Sequence, residues 1–191
     1  MITKRIKQNK TGASIVEMLV VISILVTMSA AMFLGVRSVG GVQKLAMSTQ
    51  QLASDIRLMQ SNVLNLRDFN GTFPDGGWGV FINKATSTNY IMFADLDDVD
   101  YMNGDNSTYD QSTETYRTVE MTGGVEIKEI LVDDAPVNSF LVAYIPPEPL
   151  VNICDDAGIC GYNKVEITLA NFDNDPKIID INKYGLIDIQ N

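Results

Sequence analysis

Histidine is absent from the chain. Its absence excludes the Ser-His-Asp and Cys-His catalytic arrangements and the usual ligand sets of zinc sites. A phosphate-binding loop is also missing, because the glycines of Gly76-Gly77-Trp78-Gly79 are followed by neither lysine nor a helix pattern. We therefore predict that the protein is not an enzyme. An anchored hydrolase that uses paired carboxylates is an alternative, since spacing does not single out one pair among the many acids.

Acidic residues are missing from residues 1–12, although they are abundant elsewhere. The whole chain has 24 acidic and 14 basic residues and a net charge of −10. This charge is a balance between +4 in residues 1–12 and −14 in residues 13–191. Because so acidic a body repels phosphates, we expect no nucleic acid as the main partner.

Charged residues are also missing between Met18 and Val36. As an α-helix, this apolar run extends about 28 Å at about 1.5 Å per residue, close to the ~30 Å hydrocarbon core of a bilayer. The bases that precede it orient such a helix with its N-terminus in the cytoplasm. The run therefore predicts a single-pass membrane protein with the lipid bilayer as a partner.

Glu17 is the one acidic residue next to this apolar run. A carboxylate within a membrane helix costs about 2.5–3.5 kcal/mol at the helix centre and less near the interface. Two interpretations remain open from the physics alone. Glu17 is tolerated near the cytoplasmic headgroups, or it pairs with a cation in the membrane or in an assembly.

From Gly12 onward, the chain reads GASIVEMLVVISIL. This stretch resembles the N-terminus of type IV pilins and pseudopilins, in which a short basic leader ends in glycine and glutamate is the fifth mature residue. The resemblance implies that a prepilin peptidase cuts between Gly12 and Ala13 and that the new Ala13 amine is N-methylated. It also implies that Glu17 pairs with the N-terminal amine of a neighbouring subunit.

The resemblance also implies a function and partners. The expected protein is a pilin or pseudopilin subunit of a type IV pilus-like or type II secretion filament, located in the bacterial inner membrane before it joins an extracytoplasmic or extracellular filament. Its expected partners are other pilin or pseudopilin subunits, the prepilin peptidase and the inner-membrane assembly platform. A signal-anchored extracytoplasmic binding module that does not polymerise is the alternative from another class.

Two departures from the family pattern concern the same segment. Ala13 replaces the more common Phe or Met, and Leu34 stands where many major pilins carry proline. The closing run Tyr-Gly-Leu-Ile-Asp-Ile is similar to that of H-type minor pseudopilins. The missing proline and the similarity to H-type proteins favour a minor subunit, whereas Ala13 bears on how efficiently the new amine is methylated.

The pattern beyond the apolar run predicts the fold. No proline precedes Pro74, and apolar residues from Leu45 to Leu66 recur at helical spacing, whereas short β-rich runs follow from Trp78. We predict an α+β, type IV pilin-like fold: a long N-terminal helix, transmembrane in its first half, packed on a mostly antiparallel sheet. The predicted segments are a removed leader, a transmembrane assembly helix, its amphipathic continuation and a β-rich domain, at residues 1–12, 13–36, 37–68 and 69–191.

Aspartates are concentrated between residues 95 and 110. Carboxylate and amide oxygens at short spacing suit Ca²⁺, but the spacing does not fit the EF-hand pattern. The main interpretation is a solvated acidic loop, and the protein requires no cofactor. If calcium binds, the expected ligands are Asp95, Asp97, Asp100, Asn103 and Asp105.

The two cysteines, Cys154 and Cys160, are separated by five residues that include Gly158. Such a segment can close a small loop, and the spacing is not that of a C-x-x-C redox motif. Because histidine is absent, metal binding by the pair is not expected. The spacing predicts a structural disulfide.

Overall fold

The computed structural model describes residues 14–96, 113–146, 150–172 and 175–190, without the side chains of residues 32–39 and 150. The chain divides into two compact units, Met1–Gly40 and Gly41–Asn191. Gly12 and Ala13, the predicted processing residues, and most of the acidic segment lie outside the described residues.

Helix α1 comprises Ile15–Leu64. Its end is a Schellman motif, in which Leu66 N–H donates to the Val63 carbonyl at 3.0 Å and Arg67 N–H donates to the Asn62 carbonyl at 2.9 Å. Leu66 has a φ of 49° in this motif, a left-handed conformation that glycine usually provides. The helix therefore stops at this point although no proline or glycine marks its end.

Replacing the strained residue of this motif with glycine should stabilise the protein. Leu66→Gly is expected to raise the free energy of unfolding by about 1 kcal/mol, because an L-residue in the left-handed region costs about 1–2 kcal/mol and the Leu66 side chain is exposed. Denaturant unfolding of the full chain measures the change. Leu66→Ala is the control, because it removes the side chain and keeps the backbone cost. Equal stability of the two variants would contradict the explanation.

No helix among the described residues is long and apolar enough to cross a membrane. The predicted transmembrane first half of the helix is therefore wrong, and so is the predicted location as a single-pass protein of the inner membrane. The described apolar stretch, residues 15–31, extends only about 25 Å at about 1.5 Å per residue, and a spanning helix needs about 20 predominantly apolar residues. Hydroxyl side chains also interrupt it.

The predicted fold class, a pilin-like helix with a transmembrane half on one sheet, is wrong in a second respect. The described strands form two five-stranded sheets, not one. Their bounds are β1 Gly77–Asn83, β2 Asn89–Asp95, β3 Thr115–Glu120, β4 Glu126–Val132, β5 Ala135–Pro136, β6 Ser139–Ile145, β7 Leu150–Asp155, β8 Lys164–Ala170, β9 Lys177–Asn182 and β10 Ile187–Gln190.

The first sheet has the order β3-β2-β1-β6-β7, and the second has the order β10-β9-β8-β4-β5. Each described pair of neighbouring strands is antiparallel. A 3-10 turn at Lys84–Thr86 connects β1 to β2, and the Asn83 side chain caps it by accepting from Ala85 N–H at 2.8 Å. This topology needs only short hairpin connections at most of its turns.

The main core of the second unit joins the helical residues after Gly40 to inward side chains of both sheets. Along most strands the core residues alternate with residues on the other face, as the pleat requires. In β4, a bulge between Ile127 and Glu129 places the core residues Ile127 and Ile130 three positions apart. The largest fully buried side chains of this core are Trp78, Tyr90, Tyr144, Phe140, Leu45, Leu52, Ile56, Met59, Ile82, Met92 and Ile127. The Tyr90 hydroxyl donates to Asp55 at 2.6 Å. Burial is the main cause that raises the pKa of Tyr90, and the hydrogen bond to the Asp55 carboxylate adds to it. The phenol therefore stays neutral, and its hydrogen bond links α1 to β2.

A smaller apolar cluster lies on the opposite face of the first sheet. It contains Phe93, Leu141, Ala143 and Cys154, with Phe81 and Cys160 packed against it. Gly79 makes this arrangement possible, because a Cβ at Gly79 would lie 2.4 Å from the Phe93 ring. The disulfide is therefore part of an apolar contact, not an isolated link.

Candidate functional site

The segment from Ser14 to Ala31 carries Glu17 and is the candidate functional site. It belongs to the first compact unit. The Ser14 carbonyl accepts the Met18 N–H at 3.1 Å, so Ser14 occupies the N-cap position of α1. Glu17 is then the third helical residue, lies in the first turn and is exposed.

The spacing of Ser14 and Glu17 also matches a sequence pattern found at helix starts. Serine at the N-cap with glutamate three residues later is the sequence pattern of a capping box. A negative charge in the first turn also interacts favourably with the helix dipole. Ser14-Ile15-Val16-Glu17 is thus the sequence signal from which the start of α1 could have been predicted.

The described surface of this segment is apolar. Its large aliphatic side chains and methionines are exposed by fractions from 48% at Val21 to 81% at Ile15. These side chains are Ile15, Val16, Met18, Leu19, Val20, Val21, Ile22, Ile24, Leu25, Val26 and Met28. Because exposed apolar patches of this extent on soluble monomers mark interaction sites, the segment is suited to burial against another apolar surface.

The hydroxyl side chains of the segment bond to its own backbone. Ser23 donates to the Val20 carbonyl at 2.8 Å, and Thr27 and Ser29 donate to carbonyls three and four residues earlier at 2.9 and 2.7 Å. Bonds of this kind satisfy the hydroxyl proton within the helix. The segment can therefore be buried without leaving these donors unpaired.

Most of the predicted calcium ligands lie outside the residues that the structure describes. Asp97, Asp100, Asn103 and Asp105 fall in residues 97–112, whereas Asp95 is buried at the end of β2. A Cβ placed on Gly76 would lie 2.3 Å from the Asp95 carboxylate carbon, so the chain packs closely around this group. Within the described residues, no group of three or more Asp, Glu or Cys side chains could hold a metal ion. Calcium binding stays a prediction.

Cys154 and Cys160 form a disulfide with an S–S distance of 2.06 Å. Within the loop that it closes, Asp155 accepts hydrogen bonds from two backbone N–H groups at 3.0 and 2.9 Å. The other Asp155 oxygen accepts the Tyr162 hydroxyl at 2.6 Å, and this bond raises the pKa of Tyr162. The loop is thus fixed by a carboxylate in addition to the covalent link.

Removing both thiols should destabilise the protein without unfolding it. For Cys154→Ser combined with Cys160→Ser, we expect a loss of about 2 kcal/mol in unfolding free energy, the chain-entropy value for so short a loop. The fold should persist because Asp155 still holds the loop. Denaturant unfolding measures the loss. An unfolded double variant, or one as stable as the wild type, would contradict this expectation.

Comparison of the chain with family models, with curated proteins and with solved structures found no match in any of the three.

Proposed function

We propose that the protein is a structural subunit of a type IV pilus-like or type II secretion filament, processed between Gly12 and Ala13 and assembled through its N-terminal helix. A minor subunit fits the absence of proline at Leu34 and the similarity of the closing run to H-type minor pseudopilins. The observation that carries the proposal is the apolar surface of residues 15–31, which surrounds the helix instead of forming one stripe. A helix that is apolar on all sides requires apolar neighbours on all sides.

Like helices from other copies supply such neighbours. Complete burial of one Val, Leu, Ile or Met side chain contributes about 1.5–3 kcal/mol. Eleven such side chains are exposed in this segment. Burial of their exposed surface between subunits therefore makes a large favourable contribution to the free energy of association. The hydroxyl groups of Ser23 and Thr27 already donate to backbone carbonyls of the same helix, so their burial adds little desolvation cost to this association.

Glu17 determines which contact the helices make. A carboxylate buried among apolar helices is costly when it is alone and tolerable when it is paired with a cation. Removal of residues 1–12 creates a new amine at Ala13, four residues before Glu17. In the proposed filament, the Glu17 carboxylate of one copy pairs with the Ala13 amine of the next, with or without N-methylation of that amine. The pairing fixes the axial register between subunits.

The second unit supports the proposal by having its own core. The buried residues of Gly41–Asn191 include helical and strand side chains that pack together within this unit. Assembly through residues 15–31 therefore requires no unfolding of the β-rich unit. Because the proposed contact joins two different groups, Glu17 of one copy and the Ala13 amine of the next, it is heterologous, and the expected assembly is head-to-tail and helical.

Coexpression of the full chain with a prepilin peptidase tests the processing step. Intact-mass analysis should show loss of residues 1–12, with or without one added methyl group. Gly12→Val is the matched control and should remain uncut, because the bulky side chain stands at the cleavage site. Cleavage after Ala31, where Ser29-Ala30-Ala31 has the small residues of a conventional secretory cleavage site, or no cleavage of the wild-type chain, would refute the proposal and favour a binding module that does not polymerise.

A further inference from the structure

Asn70 lies in a two-residue turn between α1 and β1. The backbones of the flanking residues, Phe69 and Thr72, exchange hydrogen bonds of 2.8 and 3.0 Å. Asn70 and Gly71 have φ values of 54° and 82°, and a type I′ turn requires such values at both central positions. The turn therefore explains why asparagine and glycine occupy these positions.

The turn does not explain Thr72. Only its backbone takes part in the pairing, and its side chain is exposed, with no hydrogen bond to the described part of the chain. Together, Asn70, Gly71 and Thr72 form the N-x-T acceptor pattern for N-linked glycans. The second such pattern, at Asn106, lies outside the described residues. No described contact of the fold therefore uses the hydroxyl group at position 72, whereas the acceptor pattern does.

The surroundings of Asn70 leave room for a glycan. Asn70, Gly71 and Thr72 are exposed, and a Cβ placed on Gly71 would meet no atom within 4 Å. Under the turn, the Phe69 ring meets the rings of Trp78 and Tyr116 edge to face at 6.0 and 6.2 Å. The aromatic contacts fix the base of the turn and leave its tip open to solvent.

We propose that Asn70 is an acceptor for an N-linked glycan. The donor is an oligosaccharide activated as a lipid-linked pyrophosphate. The Asn70 Nδ2 forms a bond to the anomeric carbon, the bond from that carbon to the pyrophosphate oxygen breaks, and the pyrophosphate leaves with the electron pair while a base of the transferase takes the Nδ2 proton. The Cys154–Cys160 disulfide supports the proposal, because disulfides and N-glycans both belong to exported chains. This inference goes beyond filament assembly and does not depend on it.

The full chain isolated from its own cells provides the test. Trypsin should release the peptide from Asp68 to Lys84, which contains the acceptor pattern once, and mass spectrometry should find a glycan on Asn70. Thr72→Ser should keep the glycan, and Thr72→Ala should lose it with an unchanged melting temperature. An unmodified peptide, a peptide carrying only aspartate in place of Asn70, or a glycan that persists in Thr72→Ala would overturn the proposal.

Discussion

Glu17→Gln should abolish filament assembly as completely as Glu17→Ala. Leaving one member of a buried ion pair without its partner costs about 3–5 kcal/mol, and each 1.4 kcal/mol is a factor of ten in an equilibrium constant. Subunit association should therefore weaken by on the order of 100-fold or more in both variants. The fraction of processed protein that sediments as filaments measures the effect, and cleavage between Gly12 and Ala13 should continue in both variants.

The comparison of the two substitutions separates the two roles of Glu17. Glutamine can serve in a capping box as glutamate does, but it carries no charge to pair with an amine. If Glu17 acts only as a helix cap, Glu17→Gln will assemble normally while Glu17→Ala will show a defect. The proposed pairing requires that both fail. Normal assembly of Glu17→Gln would thus refute the ion pair and retain the cap.

Gly77→Ala should be the most destabilising small substitution in the β-rich unit. Gly77 has a φ of 97°, and a Cβ at this position would lie 2.0 Å from the Tyr144 carbonyl oxygen, which belongs to the backbone of the paired strand β6. Backbone strain of about 1–2 kcal/mol adds to about 1–3 kcal/mol for overpacking. We expect a loss of about 3 kcal/mol or more in unfolding free energy, with a fall in melting temperature of roughly 10 °C.

Gly124→Ala is the matched control for this prediction. Gly124 has a φ of 73°, but a Cβ there would meet no atom within 4 Å. Its alanine variant therefore shows the backbone cost alone, about 1–2 kcal/mol. Thermal and denaturant unfolding of the two variants measure the difference. Equal losses would mean that the close contact with Tyr144 costs nothing, which would contradict the packing explanation.

Local sequence patterns identified most strands but not how the strands pair. The run Lys164–Leu169 alternates apolar and polar residues, and it lies within β8, where Val165, Ile167 and Leu169 are buried. β7 has no such pattern, because prolines precede it and cysteines lie within and after it, although its Ile153 is completely buried. The division into two sheets depends on β4 pairing with β8. Such long-range pairing leaves no local signal.

The candidate site could be located from the sequence only in part. The motif from Gly12 to Glu17 indicated where processing and assembly residues should lie, and the described helix contains Glu17 in its first turn. The prediction that the apolar run after it spans a membrane is wrong, because the described apolar stretch is shorter than a spanning helix needs and hydroxyl side chains interrupt it. The hydrogen bonds from the Ser23, Thr27 and Ser29 hydroxyl groups to the helix backbone could not be predicted from the sequence, because they depend on side-chain rotamers.

Zero-length carbodiimide coupling of assembled, processed protein tests the proposed contact between subunits most directly. The reaction joins a carboxylate to an amine only when the two groups are in contact. In filaments grown from a mixture of ¹⁴N- and ¹⁵N-labelled copies, the account predicts an amide between Glu17 of one copy and the Ala13 amine of another, visible as a peptide of mixed isotope content. Filaments without this intermolecular link, or with coupling only within one copy, would contradict the account.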